Sequence, residues 1–427
     1  MKNLQIAGLF GLASLGAHAQ LTPLPALQQS VDPVVVTASR GLTPATTMRE
    51  AIVITREDLD AAGSLSLAEV LQRRAGIELR ATGGPGQPQT LFIRGAGTAQ
   101  TLVLVDGMRV GSATVGTTSI EHLPLEMIER IEVVKGPMSS LYGPEAIGGV
   151  IQVFTRGKGV PHFFATTSYG TDRDQRASAG ISTSDDTTRF SLAAGLRSVD
   201  ARSATNSRNF FYNADRDPYE NAFFTMRAAQ KLWQGETLEF EAFATRSRTH
   251  FDAGPGNDRN DQAISGFKFA SSTQLFDGWT SRLTVGEGRD RLAIRSAFPN
   301  SIETRQDQAS WVNELTMARG AIVAGLEVLR QTVESDDRAN PFTLTRRDIS
   351  SAFLGVNESF AGQRFEASVR RDDDNQFGSR TTGSASVGID WPKVARFSAT
   401  YARGFRAPTF FDLYGPTFPD YSPNPAL

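Results

Sequence analysis

The chain has 427 residues, with 44 Lys and Arg against 46 Asp and Glu, 39 Gly, no Cys and 40% hydrophobic residues. This composition excludes disordered, collagen-like and disulfide-stapled classes and predicts a folded chain of more than one domain. The net charge of −2 leaves no basic field for nucleic acid, and the lack of Cys excludes thiolate metal sites, Cys nucleophiles and redox pairs.

The first segment carries one early basic residue, Lys2, then an apolar stretch from Ile6 to Leu15, then Ala17-His18-Ala19 before Gln20. This is the pattern of a secretory signal peptide over 1–19, so the exported chain is expected to start at Gln20. Pro23 and Pro25 follow directly and disfavour the alternative, an ordinary N-terminal helix. Within 20–40, Asp32-Pro33-Val34-Val35-Val36-Thr37-Ala38-Ser39 is a β-branched run among loop-like residues. It suits strand addition to a partner's sheet edge, or an edge strand of the domain that follows.

From 41 to 156 the grammar is mixed α/β, about 110 residues and of ordinary domain size. Ile52-Val53-Ile54 predicts a short strand, and Ser66-Leu67-Ala68-Glu69 is a capping box opening a helix through Arg74, with Gly76 placed to stop it. Leu91-Phe92-Ile93 and Leu102–Val105 read as strands, the second running into Asp106-Gly107, a two-residue hairpin signal before Met108-Arg109-Val110. Asp106 is therefore read as a turn residue rather than a catalytic acid. A helical turn is expected from Pro124 to Ile128, and strands over Ile131–Val134 and Val150–Phe154.

From His162 onward helical periods vanish and apolar residues alternate. Phe190, Leu192, Ala194 and Leu196 face one way and Ser191, Ala193 and Gly195 the other. The same dyad runs through Leu238/Phe240/Ala242/Ala244, Phe365/Ala367/Val369 and Ala385/Val387/Ile389. Strands of about ten residues with a small, polar second face fit a bilayer-crossing barrel better than a soluble β-sandwich or propeller, the alternative. Short links such as Ser184–Asp186 and Phe276–Gly278 alternate with long polar ones, Asp200–Tyr219, Thr249–Ala263 and Ser335–Thr345, as on the two rims of an outer-membrane barrel. The lack of a long apolar helix is thus no argument for solubility, because a closed barrel satisfies its backbone between strands.

Val34–Arg40, Phe92-Ile93-Arg94-Gly95, Leu104-Val105-Asp106-Gly107, Ile131–Pro137, Ser140-Leu141-Tyr142-Gly143 and Ala146–Ile151 occur in that order. In this they resemble the motifs of the TonB-dependent outer-membrane transporters. Phe365–Gly378 and Tyr401–Gly415 look most like the cobalamin-transporting branch of that family. The resemblance implies an all-β transmembrane barrel over 160–427, of the roughly 22-stranded type, with the 41–156 domain as an α/β plug in its lumen. It also implies an outer-membrane monomer that imports a bulky ligand, cobalamin or a related corrinoid, and catalyses no reaction. Asp32–Ser39 would be the TonB box, engaged by the periplasmic protein TonB. In such plugs the external loops hold the ligand, which here places Pro88, Thr90, Gly97, Val115 and Gly116 against it. Carboxylates that order the capping loops through Ca2+ map onto Asp200, Asp215, Asp217, Asp252 and Asp261; the alternative is that they are solvated loop charges. Arg94, Glu129 and Glu132 are expected either to face lumen charges such as Arg370 and Asp390 or to form exposed ion pairs. A siderophore or metal-chelate importer, or a passive pore or receptor barrel, are the competing functions.

The residues after 160 suffice for roughly 14 strands at about 19 residues per strand and loop, against the roughly 22 of such barrels. The sequence also ends on loop-like Ser422–Leu427. The expectation is a C-terminally incomplete barrel with an open wall.

Overall fold

The computed structural model describes residues 48–63, 65–157, 162–203, 205–233, 235–253, 256–297, 299–336, 342–391, 395–415, 417 and 421–427. The signal peptide and the Asp32–Ser39 segment lie outside these residues.

The first described domain is a five-stranded sheet with helices on its flank. Strands β1 (Ala51–Ile54), β4 (Thr101–Val105), β5 (Met108–Arg109), β6 (Ile128–Lys135) and β7 (Gly149–Thr155) lie in the order β1-β6-β7-β4-β5. Only β4 and β7 are parallel (Thr101↔Gly149 to Val105↔Val153). A separate hairpin pairs β2 (Glu78–Ala81) with β3 (Gln89–Phe92). Each expected strand is present. The capping box predicted at Ser66 starts α2 (Leu67–Ala75), whose Gly76 ends it in the left-handed region at φ 59°. A second capping box, Thr55 with Asp58, starts α1 (Arg56–Ala61). The Asp106-Gly107 turn has φ 50° and 84°, the pair of positive values that a type I′ hairpin demands. Ile54, Leu59, Leu71, Val103, Val105, Ile131 and Ile151 close the core under these elements.

The remaining strands form one antiparallel sheet of thirteen among the described residues, each hydrogen-bonded to its sequence neighbour. They are β8 (His162–Tyr169), β9 (Gln175–Ser184), β10 (Thr188–Val199), β11 (Tyr219–Trp233), β12 (Glu236–His250), β13 (Arg259–Phe276) and β14 (Trp279–Arg295). Then follow β15 (Asn300–Met317), β16 (Gly320–Ser335), β17 (Arg346–Phe360), β18 (Gln363–Asp374), β19 (Gly378–Trp391) and β20 (Ala395–Arg403). A short helix, α4 (Phe410–Tyr414), comes after them, capped by Thr409.

The expected two-faced alternation is clear on strands such as β9, β10, β17 and β18, while β8 is exposed on both faces except at Phe164. On β18, Phe365, Ala367 and Val369 are exposed while Glu366, Ser368 and Arg370 are buried. The buried side faces the plug; the exposed side is the apolar girdle that includes Phe269, Leu283, Leu326, Leu354 and Val387. Connections at one rim are short (185–187, 277–278, 318–319, 361–362), and at the other 200–218, 251–258 and 336–345 are long. The link read from Thr249 to Ala263 is a correction. β12 runs to His250 and β13 starts at Arg259, because the charged residues read as loop stand on extended strand ends.

Candidate functional site

The sheet wraps the plug from β9, where Arg176 reaches Glu126 at 3.4 Å, to β18 and β19, where Arg49 bonds Glu366 (2.5 Å) and Ser384 (2.8 Å). Among the described residues apolar contact gathers in three patches, one of which sets Ala113 of the plug with Val333 on β16 and Phe410. Phe223, Phe243 and Ile264 extend the plug core, and Val323 and Phe353 meet Leu141 and Tyr142. Elsewhere the interface is polar. Ser140 bonds Ser368 at 2.6 Å, Gln306 donates to the Gly111 carbonyl at 2.6 Å, and Gln308 donates to the Arg109 carbonyl at 3.1 Å.

The Asp106 turn is the most heavily charged contact. Its carboxylate accepts from the Thr155 amide (3.0 Å) and hydroxyl (2.7 Å), tying the hairpin to the last residue of β7, and from Arg227 (3.1 Å) on the wall. Lys268 donates to the Asp106 carbonyl at 2.6 Å and pairs with Glu241 at 2.5 Å; Arg227 bonds Glu241 as well. Burial pushes the Asp106 carboxyl up from its ordinary value, and Arg227 opposes that shift. On the other side, Arg370 bonds Glu327 (2.6 Å) and Asp372 (2.7 Å) and lies over Gly143.

For Arg94 the exposed ion pair, the alternative to a lumen charge, is the one that forms. Arg94 meets Glu50 (3.1 Å) and Glu132 meets Arg130 (2.8 Å), two residues back along β6, both within the plug.

The residues nominated for ligand contact fall in two places. Pro88 and Thr90 stand on the β2–β3 hairpin, whose Gly86 (φ 75°) is wedged under the wall: a Cβ there would lie 2.2 Å from the Tyr219 ring. Thr249 donates to the Gly86 carbonyl and Gln87 to that of His250 (2.7 Å), so this hairpin is fixed to the long-loop rim of β11 and β12. Gly97 precedes a 3-10 turn (Thr98–Gln100), and Ala99 of that turn approaches Gly116. Val115 is exposed, while Arg406 and Thr409 lie over Gly116 and the Phe410 amide donates to the Ala113 carbonyl (3.3 Å). Tyr219, Thr249 and the 406–414 segment escaped sequence reasoning, since nothing local marks a wall residue as a plug anchor.

Of the five nominated carboxylates, three gather. Ligand oxygens of Asp215, Asp217 and Asp252 lie within 4.8 Å of one another, with Asp217 buried. Asp252 also accepts from Ser203 (2.8 Å) and Thr205. Asp200 and Asp261 do not join that group. Asp200 pairs with Arg173 (3.3 Å) and Arg216 (3.6 Å), and Asp261 sits on β13 among Arg248, Arg259 and Arg295, so arginines take up their charge.

Below Tyr219 lies a buried acid, Glu121, 4.0 Å from His122. Burial raises its carboxyl to about 8 and lowers the His122 imidazole to about 3, so at neutral pH both are uncharged and no ion pair forms. A carboxyl raised in the fold stabilises fully below its unfolded value near 4.5 and loses that contribution as pH rises through 8. Glu121→Gln is therefore expected to flatten the loss of stability between those pH values by up to about 1.4 kcal/mol per pH unit. Denaturant midpoints measured across that range check this.

A plug sheet held inside an antiparallel wall with alternating lipid-facing residues defines a class. The TonB-dependent Receptor Plug Domain matches residues 43–150, and the TonB dependent receptor-like, beta-barrel family matches residues 154–427. The chain belongs to the TonB-dependent receptor family, and its place is the outer membrane. It is 27% identical over 430 residues to the Vitamin B12 transporter BtuB of Vibrio vulnificus, covering 97% of this chain and 69% of that protein. It is 29% identical over 409 residues to the Vitamin B12 transporter BtuB of Photobacterium profundum, covering 94% and 66%. In fold it is similar to the siderophore receptor PirA from Acinetobacter baumannii (TM-score 0.69, 16% identity, 85% of this chain and 62% of that one). The Ferric-Catecholate import receptor Fiu from K12 E. coli gives a TM-score of 0.68 at 14% identity, over 88% and 67%. The chain thus spans about two thirds of the length of these relatives. Among the described residues no helix is long and apolar enough to cross a membrane; the crossing elements are strands.

Proposed function

We propose that the chain serves energy-coupled import of a bulky ligand, cobalamin or a related corrinoid, across the outer membrane. The observation that carries this reading is the plug itself: a domain with its own sheet, gripped by the inward face of the wall, with its loop tips at the long-loop rim. Such an arrangement blocks passive flow, so transport needs work on the plug. Asp32–Ser39 supplies the handle, a β-branched run suited by its composition to adding its backbone to the sheet of TonB. The corrinoid is favoured over a siderophore by the two relatives named as vitamin B12 transporters, whose similarity runs nearly the length of this chain. Ligand would rest on Pro88, Thr90, Gly97, Val115 and Gly116 with no bond made or broken.

Deleting Asp32–Ala38 is expected to leave equilibrium cobalamin binding unchanged and to abolish cobalamin uptake in cells. Unimpaired uptake would sink the coupling, and absent cobalamin binding with intact ferric-siderophore binding would replace the corrinoid by the chelate.

Ca2+ belongs to the same proposal. Three carboxylates within 4.8 Å repel unless a cation or protons intervene, and hard oxygens on a loop and a strand end fit Ca2+. Asp215, Asp217 and Asp252 would hold it and so join the 200–218 loop to the end of β12. Asp217→Asn is expected to remove Ca2+ protection of this loop from trypsin at Arg208 and to weaken Ca2+ binding by calorimetry by about tenfold or more. Equal protection in the variant counts against the site.

A further inference from the structure

The outward face of the wall carries a feature that ligand import does not use. A void of about 870 Å3 opens on the outer surface of β8 to β14 near the long-loop rim. Its position follows from register. Glu220, Arg248 and Asp261 stand side by side on β11, β12 and β13, and two residues nearer the apolar girdle Ala222, Arg246, Ala263 and Arg291 form the next row. Strand alternation puts all of these opposite the plug-facing Asn221, Ser247 and Gln262. The alanines have only a methyl each, so the floor is low, while the long arginines and Leu196 rise around it.

The charges do not balance. Arg246, Arg248, Arg259, Arg291 and Arg295 share three carboxylates, Glu220, Asp261 and Glu303. Asp261 alone is approached by three of them, at 3.3, 3.6 and 3.5 Å. Arg291 meets Glu303 only at 3.9 Å, and among the described residues Arg246 has no ion-pair partner. Nearer the short-link rim, the same strands present Phe224, Phe267, Phe269, Leu283 and Val285 outward, an apolar surface for acyl chains. Excess guanidinium directly beyond an apolar girdle lies at the depth of lipid head groups, and guanidinium forks match phosphate oxygens bidentately.

We propose that this groove binds an anionic, phosphate-bearing lipid of the outer leaflet, its phosphate held by Arg246, Arg291 and Arg295 and its chains laid on the girdle below. The occupant is committed by charge complementarity together with the adjoining apolar strip: a free phosphate would use the arginines and leave the strip bare. The inference does not depend on which ligand the plug holds.

The test is lipid retention by the full chain extracted from outer membranes in mild detergent. The chain is incubated with diphosphoryl lipid A, with its dephosphorylated form, or with inorganic phosphate, and read by native mass spectrometry. The diphosphoryl lipid is expected to be retained, and Arg246→Ser/Arg291→Ser/Arg295→Ser to reduce it at least about tenfold. Ala263→Glu, which keeps every arginine and adds a carboxylate to the floor, is expected to give the same loss. Arg330→Ser/Arg346→Ser, outward arginines elsewhere on the wall, should change nothing. Equal retention of the dephosphorylated lipid, undiminished retention in both groove variants, or binding of inorganic phosphate without lipid overturns the proposal.

Discussion

Asp106→Ala is expected to lower the stability of the plug–wall assembly by about 3–5 kcal/mol, the usual consequence of removing one partner from a buried charge cluster. The carboxylate closes the hairpin on Thr155 and faces Arg227, which would be left with Glu241 shared between itself and Lys268. Asp106→Asn keeps the shape and the bonds to Thr155 but not the charge, so it should recover part of the loss. Equilibrium unfolding followed by Trp fluorescence reports the wall, and hydrogen exchange over Thr101–Arg109 reports the plug. An undisturbed exchange pattern in the Ala variant would mean that the charge cluster is not what holds the hairpin.

Gly288→Val is expected to force the plug off one side of the wall at a cost of about 3 kcal/mol, because overpacking against main chain has no rotamer to relieve it. Gly288 faces inward on β14, and a Cβ built there would sit 2.1 Å from the Arg109 carbonyl oxygen. Neither backbone can yield alone. β14 is locked to β13 and β15 along its length, and Arg109 is held by Gln308 and by its own bonds to the Tyr142 carbonyl and Glu145. Faster exchange confined to β5 and the adjoining 110–111 backbone, with wall protection kept, is the expected signature. A variant whose β5 exchanges at the wild-type rate would show that the approach is slack.

Local chemistry made most of this fold legible. Ser66 with Glu69, Gly76 and the Asp106-Gly107 pair each carry their instruction within a few residues, and each element formed where expected. Strand alternation told which face of each wall strand would be lipid-facing, since Phe365, Ala367 and Val369 admit one burial pattern. α1 was missed because its capping box uses Asp58 at the third position, where Glu or Gln is the usual sign. β2 was missed because Glu78-Leu79-Arg80-Ala81 has no β-branched residue and is held by its partner rather than by propensity. The candidate site was less legible. Asp200 and Asp261 look like Asp215 and Asp252 in sequence, and only the fold brings arginines to the first two, loop residues to Asp200 and strand neighbours to Asp261. Arg259 and Asp261 on β13 fall in the Thr249–Ala263 link for a related reason: a charged strand end and a loop have one composition.

The polar lining of the wall bears on how fast the plug can be moved. A plug bedded in Leu and Ile would have to bare its whole apolar area before water gave anything back. Here Ser140, Gln306 and Gln308 contribute bonds that water can replace one at a time, each worth only about 1 kcal/mol net. If the plug is pulled as proposed, seepage along those contacts would divide part of the barrier into lower steps.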